Sequence, residues 1–287
     1  MRVKVVHKPR RTFQPDPVLG WRLSPISRVE VKFRPDVVQT IGPDGCRVST
    51  GADENAARQL AIYGCSYTYG TGLADTETYS SHLQSKLPGV RVLNKGIGGH
   101  GTLQNFLRFR QDVQAKTVQA AVFGIISDHR FRNIAHPQRM QQYLHQEWYE
   151  LGIEHVPVAR QGRDGRIIVD FVSIWQPSLF RKDFETFLPN DHMIDQATIG
   201  ILNAILDLAR EHAVPVLFAL LDQLDPEFNL LMTGQFSQAV DVSLPHDRKH
   251  TFMPKDIHPN AYANQRFAEA LLPHVRDLLV KSAQGEA

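Results

Sequence analysis

Ser66 lies in the run Tyr63-Gly64-Cys65-Ser66-Tyr67-Thr68-Tyr69-Gly70, and far downstream a lone Asp256-Ile257-His258-Pro259-Asn260 precedes the last amphipathic stretch of the chain. A serine after an apolar run, a glycine-lined turn at Asn94 to Gly101 and a late Asp/His pair are the parts that nucleophilic acyl chemistry requires. The hydroxyl needs a base to take its proton, the base needs a carboxylate to orient it, and the developing oxyanion needs fixed N–H donors. The pattern reads as an enzyme, with Ser66 as nucleophile, His258 as base and Asp256 as the orienting carboxylate. Asp222 and Asp225 are the substitutes for Asp256. Cys65 reads as a small buried residue rather than a second nucleophile, because it would point away from a crevice that Ser66 faces.

These residues need elements that bring them together. From Leu60 onward, short apolar runs alternate with helical periodicity, as in parallel β-α units. Leu60 to Gly64, Val90 to Leu93, Ala120 to Ile126 and Val214 to Leu221 are expected strands. The spacing of Leu103, Phe106, Leu107 and Val113 predicts a helix, as does that of Leu202, Ile205, Leu206 and Ala209. A final helix is expected after Asn260, kinked at Pro273, with Lys281 to Ala287 frayed. In open α/β sheets functional residues collect beyond the carboxyl ends of the strands, where Ser66, Gly98 and Gly99, and Ser127-Asp128-His129 would all project.

Before this core, residues 1–58 read as a β-rich annex. Val29 to Phe33 alternates, and Gly42-Pro43-Asp44-Gly45 is expected to join Val37 to Ile41 with Cys46 to Thr50 in a hairpin. Residues 59–287 read as the α/β core unit, interrupted by an insertion at 136–192. Within the insertion, His155 to Arg160 and Ile167 to Val172 flank Gln161-Gly162-Arg163-Asp164-Gly165, a second expected hairpin.

Taken together, Gly64-Cys65-Ser66-Tyr67-Thr68-x-Gly70, Val92 to Gly101 and Asp256-x-His258-Pro259-Asn260 resemble, in order, the first, second and last blocks of the SGNH/GDSL hydrolases. Asp16-Pro17-Val18-Leu19-Gly20-Trp21-Arg22-Leu23 is similar to a lead-in seen in bacterial members. The resemblance implies a three-layer α/β/α sandwich with a mainly parallel five-stranded sheet. It implies an oxyanion hole built from the N–H groups of Ser66 and Gly99. It further implies a serine-dependent carboxylic-ester hydrolase acting through an acyl-enzyme, with O-deacylation of a glycan or glycolipid, or cleavage of a short-chain ester, as the reaction. The same triad serves an O-acyltransferase, and a degenerate scaffold would leave a non-catalytic glycan-binding protein.

The chain departs from the family pattern in two places. The carboxylate more often stands three residues before the histidine, where this chain has Lys255, so Asp256 takes the role at a spacing of two. The third block, Phe123 to Asn133, lacks the usual asparagine, so the third oxyanion donor must come from Ser127, His129 or Asn133, and His129 is the choice.

Arg130 and Arg132 are candidates for a substrate carboxylate or phosphate, with structural ion pairing the alternative. Trp148 and Trp175 are candidates to stack on a sugar, with packing inside the insertion the alternative. Thirty-two Lys plus Arg against 30 Asp plus Glu gives a formal charge of +2, which argues for a small-molecule or glycan ester rather than nucleic acid. The histidines lack metal-ligand spacing, and no cofactor is implied. Two cysteines, no signal-peptide-like run and no stretch of membrane-spanning length lead to the expectation of a cytoplasmic protein with free thiols.

Overall fold

The computed structural model describes residues 10–144, 146–162, 165–175 and 188–285. The annex comprises two antiparallel hairpins, β1 (Phe13–Asp16) with β2 (Gly20–Leu23), and β3 (Ser27–Val31) with β4 (Arg34–Ile41). The core follows as β5 (Arg58–Gly64), α1 (Ser66–Tyr69), α2 (Tyr79–Gln84), β6 (Val90–Gly96), α3 (Thr102–Gln114) and β7 (Ala120–Ile125). Short helices α4 (His129–Asn133), α5 (Pro137–Met140) and α6 (Gln146–Glu150) lead to the hairpin β8 (His155–Gln161) and β9 (Ile167–Ser173). The core resumes with α7 (Asp191–Glu211), β10 (Val216–Asp222), α8 (Pro226–Gln235), β11 (Ala239–Leu244) and α9 (Ala261–Gln284).

Five parallel strands form the central sheet in the order β11-β10-β7-β5-β6. One face carries α3, α7 and α8 through Leu103, Phe109, Leu202, Ile205, Phe228 and Met232. The other carries α2 and α9 through Leu83, Phe267, Leu271, Val275 and Leu279. The result is the three-layer α/β/α sandwich expected from the sequence. β5, β7 and β10 are apolar almost throughout because helices cover both of their faces. Asn260 caps α9 by accepting the Ala263 N–H, and the helix runs through Pro273 to Gln284.

The annex pairs differently from expectation. The Gly42 to Gly45 turn forms, but β4 takes β3 as its partner, and beyond the turn Arg47 makes only isolated bridges to Ile41 and to Asn94 of β6. Arg47 is drawn inward by its own side chain. Its buried guanidinium donates to the carbonyls of Tyr69, Gly70 and Leu73 and pairs with Asp75 at 2.9 Å. The hairpin expected at residues 155–172 is present as β8 and β9, although Arg163 and Asp164 of its turn lie outside the described residues.

Annex and insertion share a third core. Phe13, Trp21 and Leu23 pack with Met140, Tyr143, Trp148 and Ile153 against Tyr69 and Ile97 from the loops of the central sheet. Trp21 meets Trp148 at 5.0 Å and Tyr143 at 5.7 Å between ring centroids. Trp148 is therefore a packing residue with none of its surface exposed, and not a platform for a ligand. Trp148→Ala should destabilise the fold by about 3–5 kcal/mol, the usual loss for deleting a buried large aromatic. A urea midpoint unchanged from wild type would show that this core does not hold the annex in place.

Candidate active site

Ser66 is positioned by the seat beneath it. Gly64 of β5 pairs with Gly96 of β6, and Gly124 lies one residue beyond the Tyr63 and Phe123 pair that joins β5 to β7. Glycines therefore stand side by side on three adjacent strands, and Thr68 of α1 rests on them. A Cβ at Gly64 would meet Thr68 Oγ1 at 2.0 Å, one at Gly124 would meet the same atom at 2.4 Å, and one at Gly96 would meet the Tyr69 nitrogen at 2.3 Å. Hydrogen bonds complete the seat. Asn94 Nδ2 donates to the Thr68 carbonyl at 2.8 Å, and the Tyr79 hydroxyl donates to Thr68 Oγ1 at 2.9 Å. Ser66 opens this turn half-exposed, while Cys65 is wholly buried in the second core as a free thiol.

His258 sits above the same turn, its ring edge-on to Tyr67 at 6.0 Å. Asp256 Oδ1 takes two hydrogen bonds from His258, at 2.8 Å from the backbone N–H and 2.6 Å at Nδ1. Burial pushes the Asp256 carboxyl upward, but the bond to His258, its charge and its N–H together outweigh this and hold it below the usual carboxylate range. With Nδ1 committed to Asp256, Nε2 is the nitrogen left for a reacting group. The substitutes for Asp256 are engaged elsewhere. Asp222 accepts both the N–H and the hydroxyl of Ser127 at 3.0 Å, and Asp225 caps α8 and pairs with Arg130.

The second loop is held by the annex. Gly99 adopts φ +86°, a left-handed conformation that glycine takes without strain. Trp21 clamps its neighbours, with Nε1 donating to the Gly98 carbonyl at 3.1 Å and its own carbonyl 3.0 Å from His100 Nε2. The N–H groups of Ser66 and Gly99 have no acceptor among the described residues, and both residues are half-exposed. Two backbone donors at neighbouring strand ends can hold a developing oxyanion.

Of the three sequence candidates for a third donor, Ser127 is bound to Asp222. The Asn133 amide accepts from the Leu103 N–H and donates to Thr198. His129 differs. Its Nδ1 lies 3.3 Å from Thr102 Oγ1, and its buried Nε2 has no partner. Burial first, then the nearby Arg132 and His100, keeps its pKa well below the ordinary histidine value, so the ring is neutral at physiological pH. Asp128 is compensated by ion pairs with Arg132 and Arg139.

The remaining candidates are placed as follows. Arg130 is held between Asp195 and Asp225, and Arg132 between Asp128 and the His100 carbonyl, so both guanidinium groups are committed within the protein. Trp175 is 43% exposed and lies tilted on Tyr149 at 5.4 Å. Sequence reasoning missed the bracing roles of Arg47, of Arg139 and of Gln39, whose amide donates to the Gly70 and Leu73 carbonyls. Trp21 stood inside a noted motif, but nothing in its spacing pointed to the Gly98 carbonyl.

Burial holds the His100 pKa down to about 3, the bond to Trp21 opposing this only in part, and His129 is lowered as well. Both rings stay neutral in the fold yet protonate in the unfolded chain below about pH 6.5. Between that pH and the folded-state value the unfolded state binds more protons, so stability falls as pH falls. Each fully buried ring contributes a slope of about 1.4 kcal/mol per pH unit in this window. His100→Gln should flatten the dependence of unfolding free energy on pH by that amount between about pH 6 and pH 4. Denaturation curves across the range with the wild-type slope would contradict a neutral, buried His100.

No family model matches the chain, and no curated protein does. Among solved structures the chain is similar to TesA, at 15% identity over 77% of this chain and 99% of that one, with a TM-score of 0.45. It is similar to a member of the lipolytic protein G-D-S-L family from Veillonella parvula DSM 2008, at 13% identity over 76% and 97%, TM-score 0.42. A further likeness is to Axe2, an acetylxylan esterase from Geobacillus stearothermophilus, at 15% identity over 79% and 96%, TM-score 0.41.

Proposed function

We propose that the protein is a serine-dependent carboxylic-ester hydrolase that works through an acyl-enzyme. The observation that carries this reading is the His258 and Asp256 pair at 2.6 Å, standing edge-on to the turn that begins with Ser66. His258 Nε2 takes the Ser66 hydroxyl proton as Oγ attacks the ester carbonyl. The resulting oxyanion is held by the N–H groups of Ser66 and Gly99. Collapse of the tetrahedral intermediate breaks the bond to the alcohol oxygen, which receives the proton from His258. Water, deprotonated by the same ring, then attacks the acyl-serine and releases the acid, returning the proton to Ser66. Asp256, held ionised, stabilises the imidazolium in both halves and fixes the tautomer.

His129 is our choice for the third oxyanion donor. A neutral imidazole that places its proton on Nε2 has one unused N–H, and Nδ1 can then accept from the Thr102 hydroxyl. The substrate class follows from the resemblance of the sequence blocks: O-deacylation of a glycan or glycolipid, or cleavage of a short-chain ester. An acceptor sugar in place of water would make the same acyl-serine an acyltransferase intermediate, and product analysis with and without acceptor separates the two.

Ser66→Ala should lower turnover of a p-nitrophenyl ester by about three to six orders of magnitude, and abolish fluorophosphonate labelling, with the fold intact. Asp256→Asn should impair turnover less than His258→Ala, while Asp222→Asn spares the dyad. Full activity in Asp256→Asn would mean that the orienting carboxylate is another residue. His129→Ala should depress kcat by about ten- to a thousandfold with little change in KM, the mark of an interaction made mainly in the transition state. An unchanged kcat with a lowered thermal midpoint would instead make His129 a packing residue.

A further inference from the structure

A groove of about 850 Å³ opens beside the candidate site, between the β3 and β4 hairpin of the annex and the loop that follows α1. Asp256 forms part of its wall, so the groove borders the proposed triad at that carboxylate. The volume is at the upper end of small-ligand sites and larger than an acyl group needs, which leaves room for an extended alcohol portion. Its charge is uneven. Arg10, Arg11, Arg28 and Lys32 line it against only two carboxylates, Glu30 and Asp256. Asp256 is already engaged with His258. Arg10 is braced, donating to Thr71 Oγ1 at 3.2 Å and to Gln39 at 3.5 Å, with its guanidinium over the Tyr69 ring. Arg11, Arg28 and Lys32 are exposed and have no ion-pair partner among the described residues.

Three cations without ion-pair partners in a groove that borders the carboxylate of the proposed triad are poorly explained by fold stability, since like charges in proximity repel. Solubility does not explain them either, because the whole chain carries only +2. They suit a ligand that brings negative charge. Phe33 and Val38 add apolar wall, a surface that suits the carbon face of a sugar ring.

We propose that this groove binds the anionic alcohol portion of the ester, so that the preferred substrates are O-acylated oligosaccharides or sugars bearing carboxylate or phosphate groups. The inference rests on the ester-hydrolase reading of Ser66 and His258 and specifies its substrate class.

The full chain would be assayed on 4-nitrophenyl acetate, on neutral O-acetylated xylo-oligosaccharides, on O-acetylated oligogalacturonates of the same length, and on an acetylated sugar phosphate beside its unphosphorylated counterpart. The expected result is a kcat/KM about tenfold or more higher for at least one anionic ester than for its neutral counterpart, with most of that advantage lost at about 300 mM salt. The carboxylate and phosphate arms identify which anion is read. The double substitution Arg28→Glu, Lys32→Glu, at exposed positions outside the catalytic machinery, should remove the advantage while leaving 4-nitrophenyl acetate turnover and the thermal midpoint as in wild type. Equal turnover of charged and neutral esters, or a preference that survives the double substitution, overturns the proposal. If no ester is hydrolysed at all, the chemistry assigned to Ser66 fails separately. Calorimetric titration with unacetylated oligogalacturonate and with a sugar phosphate still decides the groove: binding to wild type that the double variant loses supports it, and no binding to wild type overturns it.

Discussion

The constraint on which the site depends is the absence of side chains at three adjacent strand ends. Gly96, Gly64 and Gly124 form a row across β6, β5 and β7, and Thr68 sits directly on it. Any Cβ in the row would push α1 off the sheet, because the atoms it would meet are mostly backbone or the short threonine side chain, so little could yield. Close packing transmits such a shift rather than absorbing it. Because Ser66 begins the turn that Thr68 anchors, the height of the hydroxyl above the sheet is set by van der Waals contact at a point two residues away.

A second layer of support comes from the annex. Arg47 donates from inside the protein to three carbonyls, that of Tyr69 at the end of α1 and those of Gly70 and Leu73 in the loop after it. A buried guanidinium is tolerable only when its donors are filled and its charge is matched, and Asp75 meets the second condition. Gln39 reinforces the same loop through the carbonyls of Gly70 and Leu73. Trp21 does for the Gly98 to His100 loop what Arg47 does for the first. The far end of the turn that begins with Ser66 and the Gly98 to His100 loop are thus both fastened by residues from the first fifty positions, and Trp21 is itself locked against the insertion through Trp148.

Charge is distributed so that His258 is left free to act. His100 and His129 are buried and neutral, one bonded to a carbonyl and the other facing Thr102. Asp222 is buried, and desolvation raises its pKa despite two bonds from Ser127. Asp128, which would oppose a developing oxyanion, is matched by Arg132 and Arg139. His258 combines partial exposure, an ionised carboxylate on one nitrogen and an open position on the other, and it stands over the turn that begins with Ser66, whereas the His250 and Asp247 pair lies outside that turn.

The central strands were legible in the sequence because burial on both faces leaves an uninterrupted apolar run, as in Ala120 to Ile125 and Val216 to Leu221. β11 was not, since an edge strand can keep Asp241 and Ser243 in solvent-facing positions and its composition no longer marks it. Ser66, Asp256 and His258 were legible because local spacing alone places the carboxylate within reach of the ring, and because a serine must follow a strand to stand at its end. The fates of Arg130, Arg132 and Trp148 were not, for each depends on partners far along the chain: Asp195 and Asp225, the His100 carbonyl, and Trp21. The sequence by itself determined which groups are candidates to react and that parallel strands would form the core beneath them, because periodicity and short-range spacing are properties of the chain. Tertiary structure alone decided the pairing partner of β4, which of Ser127, His129 and Asn133 retains an unfilled nitrogen, and which cations remain exposed. Those outcomes depend on hydrogen bonds and ion pairs between distant segments, and such partners are selected only when the chain folds back on itself.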